Sequence, residues 1–467
     1  RAMAALRAPW WLLAASAAGA WRAAAESAEG ADADKRSLRN MDMGVSVMLL
    51  GSVAFMMGLF YLTNQSNKKK ATDSWKVISS TISIFSAVLL FQGISGIVDA
   101  GLLVGASKPA KLAVSLAHML VWLVFLQFFL AYVSGAVGNT PEETPENKSR
   151  AKLNVECFAV LLGHISGFAA IKAFATAQEM LPVGPLHKFL AVPISWACIH
   201  VWGQLFDYVR EKVCVLDDGE KDFFEELWDD MAEETEDDVI GLTASFLTAQ
   251  TLRYSITGNM PNAEGDEAPA LVEGYSNWNV SCLIGWGFAM VIIEGVRLAL
   301  IKKTFKRFTP QLQNVMAMNM AWSLFFGFGW FMGVNFPSLQ GMLKHVVVAL
   351  GLTFSSMLMI FVLDSVEIAL KASHKKQVSK TADTSDNKRA KNIASFIESI
   401  VVALAILIGF SWEKAFDVAV EGVAKASEQR VPEHATKLLM GVVLAGVVVP
   451  AWRLHILPHI EKMNEEL

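Results

Sequence analysis

The sequence contains few charged residues and few cysteines. Charged residues make up 18% of its 467 residues, whereas soluble globular chains average about 25%. The four cysteines show no CxxC or Cys/His spacing, so neither a disulfide framework nor a zinc site is indicated. These cysteines are Cys157, Cys198, Cys214 and Cys282. The net charge of −5 is modest and the basic residues lie in short loops, which gives no indication of nucleic-acid binding.

Sequence motifs of catalysis and ion selection are also missing. The chain has no Walker phosphate loop, no HExxH zinc motif and no nucleophile elbow. It has no TVGYG selectivity loop, and no helix with Arg or Lys at every third position. The sequence therefore predicts no enzyme activity, no cofactor and no metal site.

Apolar residues are instead concentrated in long blocks. Hydrophobic residues form 53% of the chain, and its mean hydropathy is +0.39. A helix of roughly 20 apolar residues crosses a hydrocarbon core of about 30 Å and satisfies its own backbone hydrogen bonds. The sequence therefore predicts an all-α, polytopic integral membrane protein with about eleven transmembrane helices. The predicted spans are 44–63, 76–102, 111–135, 153–178, 187–208, 239–258, 279–301, 312–335, 343–370, 393–418 and 435–456.

Residues 1–26 have the layout of a secretory signal peptide. Arg1 and Arg7 precede an apolar run over 8–20, and small residues follow it. A short membrane anchor and a mitochondrial-type presequence are the alternatives. A cleaved signal would place the mature N-terminus on the non-cytosolic side.

Basic loops support the same orientation. They fall on one side of the bilayer if all eleven predicted helices span it, which predicts a cytosolic C-terminus. These loops are 68–70, 148–152, 210–212, 302–307 and 375–391. The weakest span is 239–258, because polar residues including Gln250 and Arg253 interrupt it, and it could be re-entrant. The expected location is the plasma membrane or a membrane of the secretory pathway.

Two segments of the chain resemble each other at a constant offset. A basic loop leads into each, Glu156 corresponds to Glu398, and the motif continues with a Gly-Phe pair and a Lys-Ala-Phe triplet. We interpret this as an internal duplication into parallel five-helix repeats, 40–210 and 277–457, joined by a linking helix at 239–260. Their pseudo-two-fold axis would lie along the membrane normal.

The shared motif supplies most of the candidate pathway residues. Glu156 and Glu398 are expected near the cytosolic ends of their helices, and Lys172 and Lys414 near the opposite ends. His164 and His200 are the deepest titratable side chains of the predicted layout, and they could relay protons. Interfacial charges, close packing at glycine and neutral core histidines are the alternative interpretations. The residues predicted to line a pathway are Glu156, His164, Gly167, Phe168, Lys172, His200, Glu398, Gly409, Phe410 and Lys414.

An acidic amphipathic segment precedes the linking helix. Residues 213–238 are predicted to lie in the cytosol, and 217–238 are rich in Asp and Glu. Phe224, Leu227, Trp228 and Met231 form one apolar stripe at helical spacing. The segment could dock on its own protein, bind a basic cytosolic partner or attract cations.

The leading functional hypothesis is a transporter for a small solute or ion, with coupling to protons as one form of it. It depends on the helix number, the parallel repeats and the ionisable residues within predicted spans. The alternatives are an ion channel and a non-transporting scaffold or receptor that binds a partner through its acidic segment.

Overall fold

The computed structural model describes residues 68–138, 140–214, 221–300, 308–339, 341–378, 384–427 and 432–465, together with scattered positions between 46 and 64. The predicted signal peptide, 1–26, and the basic loop 302–307 lie outside the described residues. The predicted first span, 44–63, is described only at those scattered positions.

Long helices account for most of the described residues. They are α1 (Lys68–Val98, continued by a π-helical turn Asp99–Leu103), α2 (Lys108–Ser134), α3 (Pro145–Met180), α4 (Ala191–Cys214), α5 (Phe223–Thr257), α6 (Asn277–Leu300), α7 (Phe308–Asn335), α8 (Gly341–Val378), α9 (Thr384–Ser427) and α10 (Glu433–Ala451, continued by Trp452–Ile456 and Leu457–Glu465). Single-turn helices at Pro185–Phe189 and Pro269–Glu273 precede α4 and α6.

Nine helices in the described part are long and apolar enough to cross a bilayer, and α5 is the long helix that is not among them. The nine correspond to the second to fifth and seventh to eleventh predicted spans. Every regular element in the described ranges is a helix. The chain is therefore a helical membrane protein.

Five helices form a closed inner ring. Each packs on the next in the order α1, α3, α5, α7, α9 and back to α1. Contacting residues follow each other in the same order along neighbouring helices, so these helices are parallel. On α3 and α5, for example, Gly163 lies beside Thr235 and, further along both helices, Gln178 binds Thr251 at 2.9 Å. Helices α1 and α9 are parallel by the same criterion, with the contacts Lys76–Glu398 and then Phe85–Phe416. So are α5 and α7, with the contacts Gly241–Asn314 and then Phe246–Phe326. We call the end where these five helices begin the N-terminal end of the ring, and the other its C-terminal end.

The even-numbered helices pack outside the ring. Helices α2, α4, α6, α8 and α10 lie on α3, α5, α7, α9 and α1 respectively. Helix α10 runs antiparallel to α1, since His434 at its beginning lies beside Gly96 and His459 near its end contacts Trp75. Outer helices expose large apolar side chains, such as Phe128, Phe354 and Val443, which are the side chains that lipid would solvate.

The position of α5 explains why its sequence is too polar for a lipid-facing helix. All residues from Val239 to Leu247 are buried, and its neighbours α3, α4 and α7 surround it. A helix that faces protein on all sides can carry Ser and Thr, because their hydroxyls bind within the bundle: Ser245 accepts a hydrogen bond from Trp322 at 3.2 Å.

The predicted acidic segment and linking helix are joined in this one helix. Helix α5 begins with a capping box in which Asp222 accepts hydrogen bonds from the backbone N–H groups of Phe224 and Glu225, each at 2.8 Å. It ends at Gly258, whose φ of 74° is the left-handed conformation that glycine adopts readily. The predicted apolar stripe is buried or half-buried within the chain, so the exposed side chains of this part are mainly acidic.

Candidate functional site

Aromatic side chains fill the centre of the inner ring. Phe168 and Phe410, from α3 and α9, are stacked with ring centroids 5.9 Å apart. Trp322 and Phe325 of α7 each lie 4.9 Å from Phe410, and Phe91 of α1 lies 6.2 Å from Phe168. We call these five residues the central aromatic layer.

The layer leaves little space beside Trp322 and Phe410. The cavity left beside Trp322 and Phe410 has a volume of about 10 Å³ and an apolar lining. A single water molecule needs about 10–15 Å³ and two or more polar partners. This cavity is therefore too small and too apolar to hold a solute between Trp322 and Phe410.

A buried carboxylate lies on the C-terminal side of this layer. Glu413 of α9 follows Phe410 by about one helical turn and has 0% of its surface exposed. Its carboxylate forms no ion pair with a described residue, and its polar neighbour is the Gln92 amide of α1, which is close to hydrogen-bonding range. An isolated buried carboxylate anion is costly, so this side chain is expected to hold a proton or a cation.

The charges next to Glu413 are paired with other residues. On α9, Lys414 Nζ lies 3.3 Å from Asp266 and Asp417 lies 3.8 Å from Lys437 of α10. Of these three charged residues of α9, Glu413 is the one that forms no ion pair with a described residue.

The connection 258–276, between α5 and α6, covers the C-terminal end of the ring. Glu267 accepts hydrogen bonds from Trp330 Nε1 of α7 at 2.6 Å and from the Tyr275 hydroxyl at 3.2 Å, and it pairs with Arg253 of α5 at 2.7 Å. The Arg253 guanidinium also lies 3.8 Å from the centroid of the Phe326 ring. The connection is thus fixed to α5, α7 and, through Asp266, α9.

Gly265 allows the backbone of this connection to approach α5 and α7 closely. Its φ of 87° favours glycine, and a Cβ atom there would lie 3.1 Å from both Phe246 and Phe326. The backbone therefore packs directly on the aromatic side chains of α5 and α7.

A large cavity lined mainly by charged side chains lies at the N-terminal end of the ring. Its volume is about 530 Å³, and it lies between α3, α5 and the last turns of α10. Five of its lining residues are acidic and one, Lys152, is basic. The acidic residues are Glu156, Glu234, Asp238, Glu461 and Glu465. We call this space the acidic cavity.

The surroundings of Asp238 in the acidic cavity shift the pKa of its carboxyl group. Asp238 is exposed to the cavity and accepts a hydrogen bond from Asn314 at 3.4 Å, while the many protein atoms around it reduce its hydration and Glu234 and Asp237 add negative charge. Together these effects raise the pKa of Asp238 from its ordinary 3.8 to about 7. Desolvation, followed by repulsion from Asp237 and Asp230, also raises the pKa of Glu234.

We expect Asp238→Asn to stabilise the protein increasingly as the pH rises. A carboxyl whose pKa is raised on folding binds its proton more tightly in the folded state, so the free energy of unfolding falls as the pH rises from about 4 to about 7. Asparagine removes this titration, so the variant's melting temperature should exceed that of the wild type by more at pH 8 than at pH 5. Glu226→Gln, at an exposed position on α5 outside the cavity, is the control, and a difference for Asp238→Asn that is constant with pH would contradict the prediction.

A second charged cluster lies outside the ring. Arg210 of α4 is 1% exposed and contacts Glu236 at 2.7 Å, Asp229 at 2.8 Å and Gln127 of α2 at 2.9 Å, and it also pairs with Asp207. Its partners satisfy the guanidinium, and the cluster fixes α2 and α4 against α5. We therefore assign it a positioning role.

The structure brings part of the predicted pathway set together. Phe168 and Phe410 meet in the central aromatic layer, and Glu156 lines the acidic cavity. Gly167 lets Leu242 of α5 approach α3, and Gly409 lets Ile84 of α1 approach α9. These two glycines are therefore positions of close helix packing.

The remaining predicted residues lie in separate places. Glu398 is 62% exposed and pairs with Lys76 at 3.0 Å. Lys172 pairs with Asp99 at 2.5 Å, and Lys414 pairs with Asp266 as described above. His164 lies half-buried on α3, and His200 lies on the outer helix α4, where it hydrogen-bonds Gln204 at 3.1 Å. Their roles in a pathway stay predictions.

Sequence reasoning missed Glu413 and the partners of Arg253 and Lys414. The comparison of the two repeated segments selected shared residues, and Glu413 corresponds to Ile171 in the first segment. A charged residue next to Lys414 in an apolar block was the available signal. No protein-family model, no curated protein and no solved structure matches this chain.

Proposed function

We propose that the chain is a transporter that moves a small cation across a membrane through its inner ring, with the proton among the candidate cations. The observation that carries the proposal is Glu413, a fully buried carboxylate without an ion-pair partner among the described residues, next to the Gln92 amide. Ionisable side chains inside membrane bundles are rare and mark ion or proton pathways by default.

The balance of charge favours a cation over an anion. The acidic cavity has five carboxylates and one lysine, and Glu413, a buried carboxylate without an ion-pair partner among the described residues, lies on the other side of the aromatic layer. Clefts lined by one sign of charge concentrate ions of the opposite sign. An anion would meet repulsion on both sides of the central aromatic layer.

The closed centre favours a transporter over a permanently open channel. The central aromatic layer and the connection 258–276 both block the ring, so a cation would cross only when the helices rearrange. We propose that the segments 40–210 and 277–457 are parallel repeats that move against each other. The stacking of Phe168 on Phe410 supports this, because residues on a pseudo-two-fold axis meet their own equivalents.

We also propose that the N-terminal end of the ring faces the cytosol and that α5 spans the membrane. Basic residues such as Lys148 and Lys152 lie in the first turns of the inner helix α3 at this end. Helix α5 runs parallel to α3 and α7 over its buried length, as a spanning helix would. Single cysteines at exposed Glu226 and Glu264, in a cysteine-free background, should be labelled from opposite sides, and labelling from one side would contradict the layout.

Cation flux in proteoliposomes tests the proposed function. Vesicles that contain the purified chain should take up H⁺, Na⁺ or K⁺ down an imposed gradient faster than protein-free vesicles. Flux should saturate with cation concentration at a turnover far below channel conductance. If none of these cations moves faster than in protein-free vesicles, the proposal is wrong and a scaffold function is favoured.

A further inference from the structure

A second large cavity lies at the N-terminal end of the ring, on the other side of α3 from the acidic cavity. Its volume is about 620 Å³, and it is formed by the end of α2, the connection to α3, the first turns of α3 and Arg453 of α10. Ligand-binding clefts usually have volumes of about 300–1,000 Å³. The space is therefore large enough for a whole polar head group and not only for one small ion.

Two arginines give this cavity a positive charge. Arg150 of α3 and Arg453 line it, and its lining contains no acidic residue. Neither arginine forms an ion pair with any of the residues described by the structure. A guanidinium presents a planar fork of donors that matches the oxygens of a phosphate group. We call this space the arginine cavity.

Neutral polar groups in the cavity add hydrogen-bonding capacity. Asn154 has a buried side-chain oxygen without a partner among the described residues, and a half-turn of its amide would present the NH₂ group instead. Asn147 donates to the Glu142 carbonyl at 2.9 Å, which fixes the connection beside the first turn of α3. The N-terminus of α3 lies at the same place, and the helix dipole favours an anion there.

The opposite wall of the cavity lies at the edge of the lipid-facing surface. Tyr132 lines the cavity, is 74% exposed and continues a stripe of exposed side chains along α2. The stripe consists of Val121, Phe125, Phe128 and Tyr132, spaced at three and four residues. Tyrosine is typical of the membrane–water boundary, where its ring lies against lipid and its hydroxyl in water. An occupant of the cavity could therefore keep acyl chains against α2.

We propose that the arginine cavity binds the phosphate-bearing head group of an anionic membrane lipid, with Arg150 and Arg453 on its phosphate oxygens and the acyl chains along the exposed stripe of α2. In the orientation proposed above, the cavity lies at the cytosolic ends of its helices, and basic pockets there suit such head groups because the cytosolic leaflet is rich in anionic lipids. The site is separate from the proposed pathway, so its test does not depend on cation flux.

The binding test compares three ligands on the full chain in a non-ionic detergent. They are dioctanoyl phosphatidylinositol 4-phosphate, its soluble head group inositol 1,4-bisphosphate, and dioctanoyl phosphatidylcholine as the neutral control. The phosphoinositide should bind at least about tenfold more tightly than either of the others. Equal binding of the soluble head group would overturn the lipid as the source and support a free organic phosphate. Equal binding of phosphatidylcholine would overturn the proposal.

Single substitutions decide whether the arginines form the site. Arg150→Gln and Arg453→Gln should each weaken phosphoinositide binding about tenfold, and Arg453→Lys, which keeps the charge but not the fork, should weaken it less. The matched control is Lys148→Gln, which removes one positive charge from the same turn of α3 but lies outside the cavity, where Lys148 pairs with Glu143 at 2.7 Å. It should change affinity less than about twofold. Because Arg150 is exposed, its variant should fold, and wild-type affinity in that variant would overturn the proposal.

Discussion

Glu413→Gln should abolish cation flux and at the same time stabilise the fold. Glutamine has nearly the same shape but neither takes up a proton nor neutralises a cation, so we expect flux to fall about hundredfold, to the level of protein-free vesicles. Removing an unpartnered buried carboxylate should raise the free energy of unfolding by about 1–3 kcal/mol. Flux assays and melting curves on the same purified variant measure both effects. Glu413→Asp, which keeps the acid on a shorter side chain, should retain part of the flux.

A second buried carboxylate provides the matched control. Glu294 of the outer helix α6 is also 0% exposed, but both of its oxygens bind Arg297, at 2.5 and 2.6 Å. Glu294→Gln should therefore leave flux close to wild type and lower stability, the opposite of both effects at Glu413. Equal loss of flux in the two variants would show that any buried acid matters, and the assignment of Glu413 would fail.

The same flux assay tests whether Glu398 belongs to the pathway or only forms an exposed ion pair. The internal similarity predicts that Glu156→Gln and Glu398→Gln both abolish flux. The surroundings of the two residues differ, since Glu156 lines the acidic cavity and Glu398 forms an exposed pair with Lys76. Exposed pairs contribute little, so retention of flux in Glu398→Gln would restrict the pathway to the Glu156 side.

The spans in the described part could be predicted because lipid imposes one strong rule on sequence. A helix in contact with acyl chains needs roughly 20 apolar residues, and the predicted span 111–135 agrees with α2 at Lys108–Ser134. Helix ends were predicted less well: the span 393–418 is part of α9 at Thr384–Ser427, because polar turns continue the helix beyond the apolar window. Helix α5 was the hardest to assign, since a helix enclosed by protein does not need the continuous apolar surface that lipid contact requires.

The candidate site was harder to predict because its contacts join distant parts of the chain. Lys414 meets Asp266, and the ring that places them together has no local sequence pattern. The similarity between the two segments did select Phe168 and Phe410, which meet at the centre, as residues near the proposed two-fold axis would. It could not identify Glu413, where the two repeated segments differ. Function in such folds depends on these departures as well as on the shared residues.

Breaking the ion pair between Arg253 and Glu267 should cause the largest loss of stability. Both side chains are almost completely buried, at 2% and 3% exposure, and lie 2.7 Å apart. Arg253→Met leaves the Glu267 carboxylate without its cation, and removal of one partner of a buried pair costs about 3–5 kcal/mol. Unfolding of the purified protein by a denaturing detergent measures this loss. The control Lys148→Gln, at the exposed pair with Glu143, should cost less than about 1 kcal/mol.

The double variant Arg253→Met, Glu267→Gln tests whether the loss comes from the unpaired charge. Glutamine at 267 can still accept hydrogen bonds from Trp330 and Tyr275, and no charge is left in the buried site. The double variant should therefore be more stable than Arg253→Met, and its loss of stability should be smaller than the summed losses of Arg253→Met and Glu267→Gln by about 0.5–3 kcal/mol. If the two substitutions are additive, the pair does not fix the connection 258–276 to α5. If they are coupled as expected, this pair fixes the connection 258–276 over the C-terminal end of the ring, because Glu267 also binds α7 through Trp330.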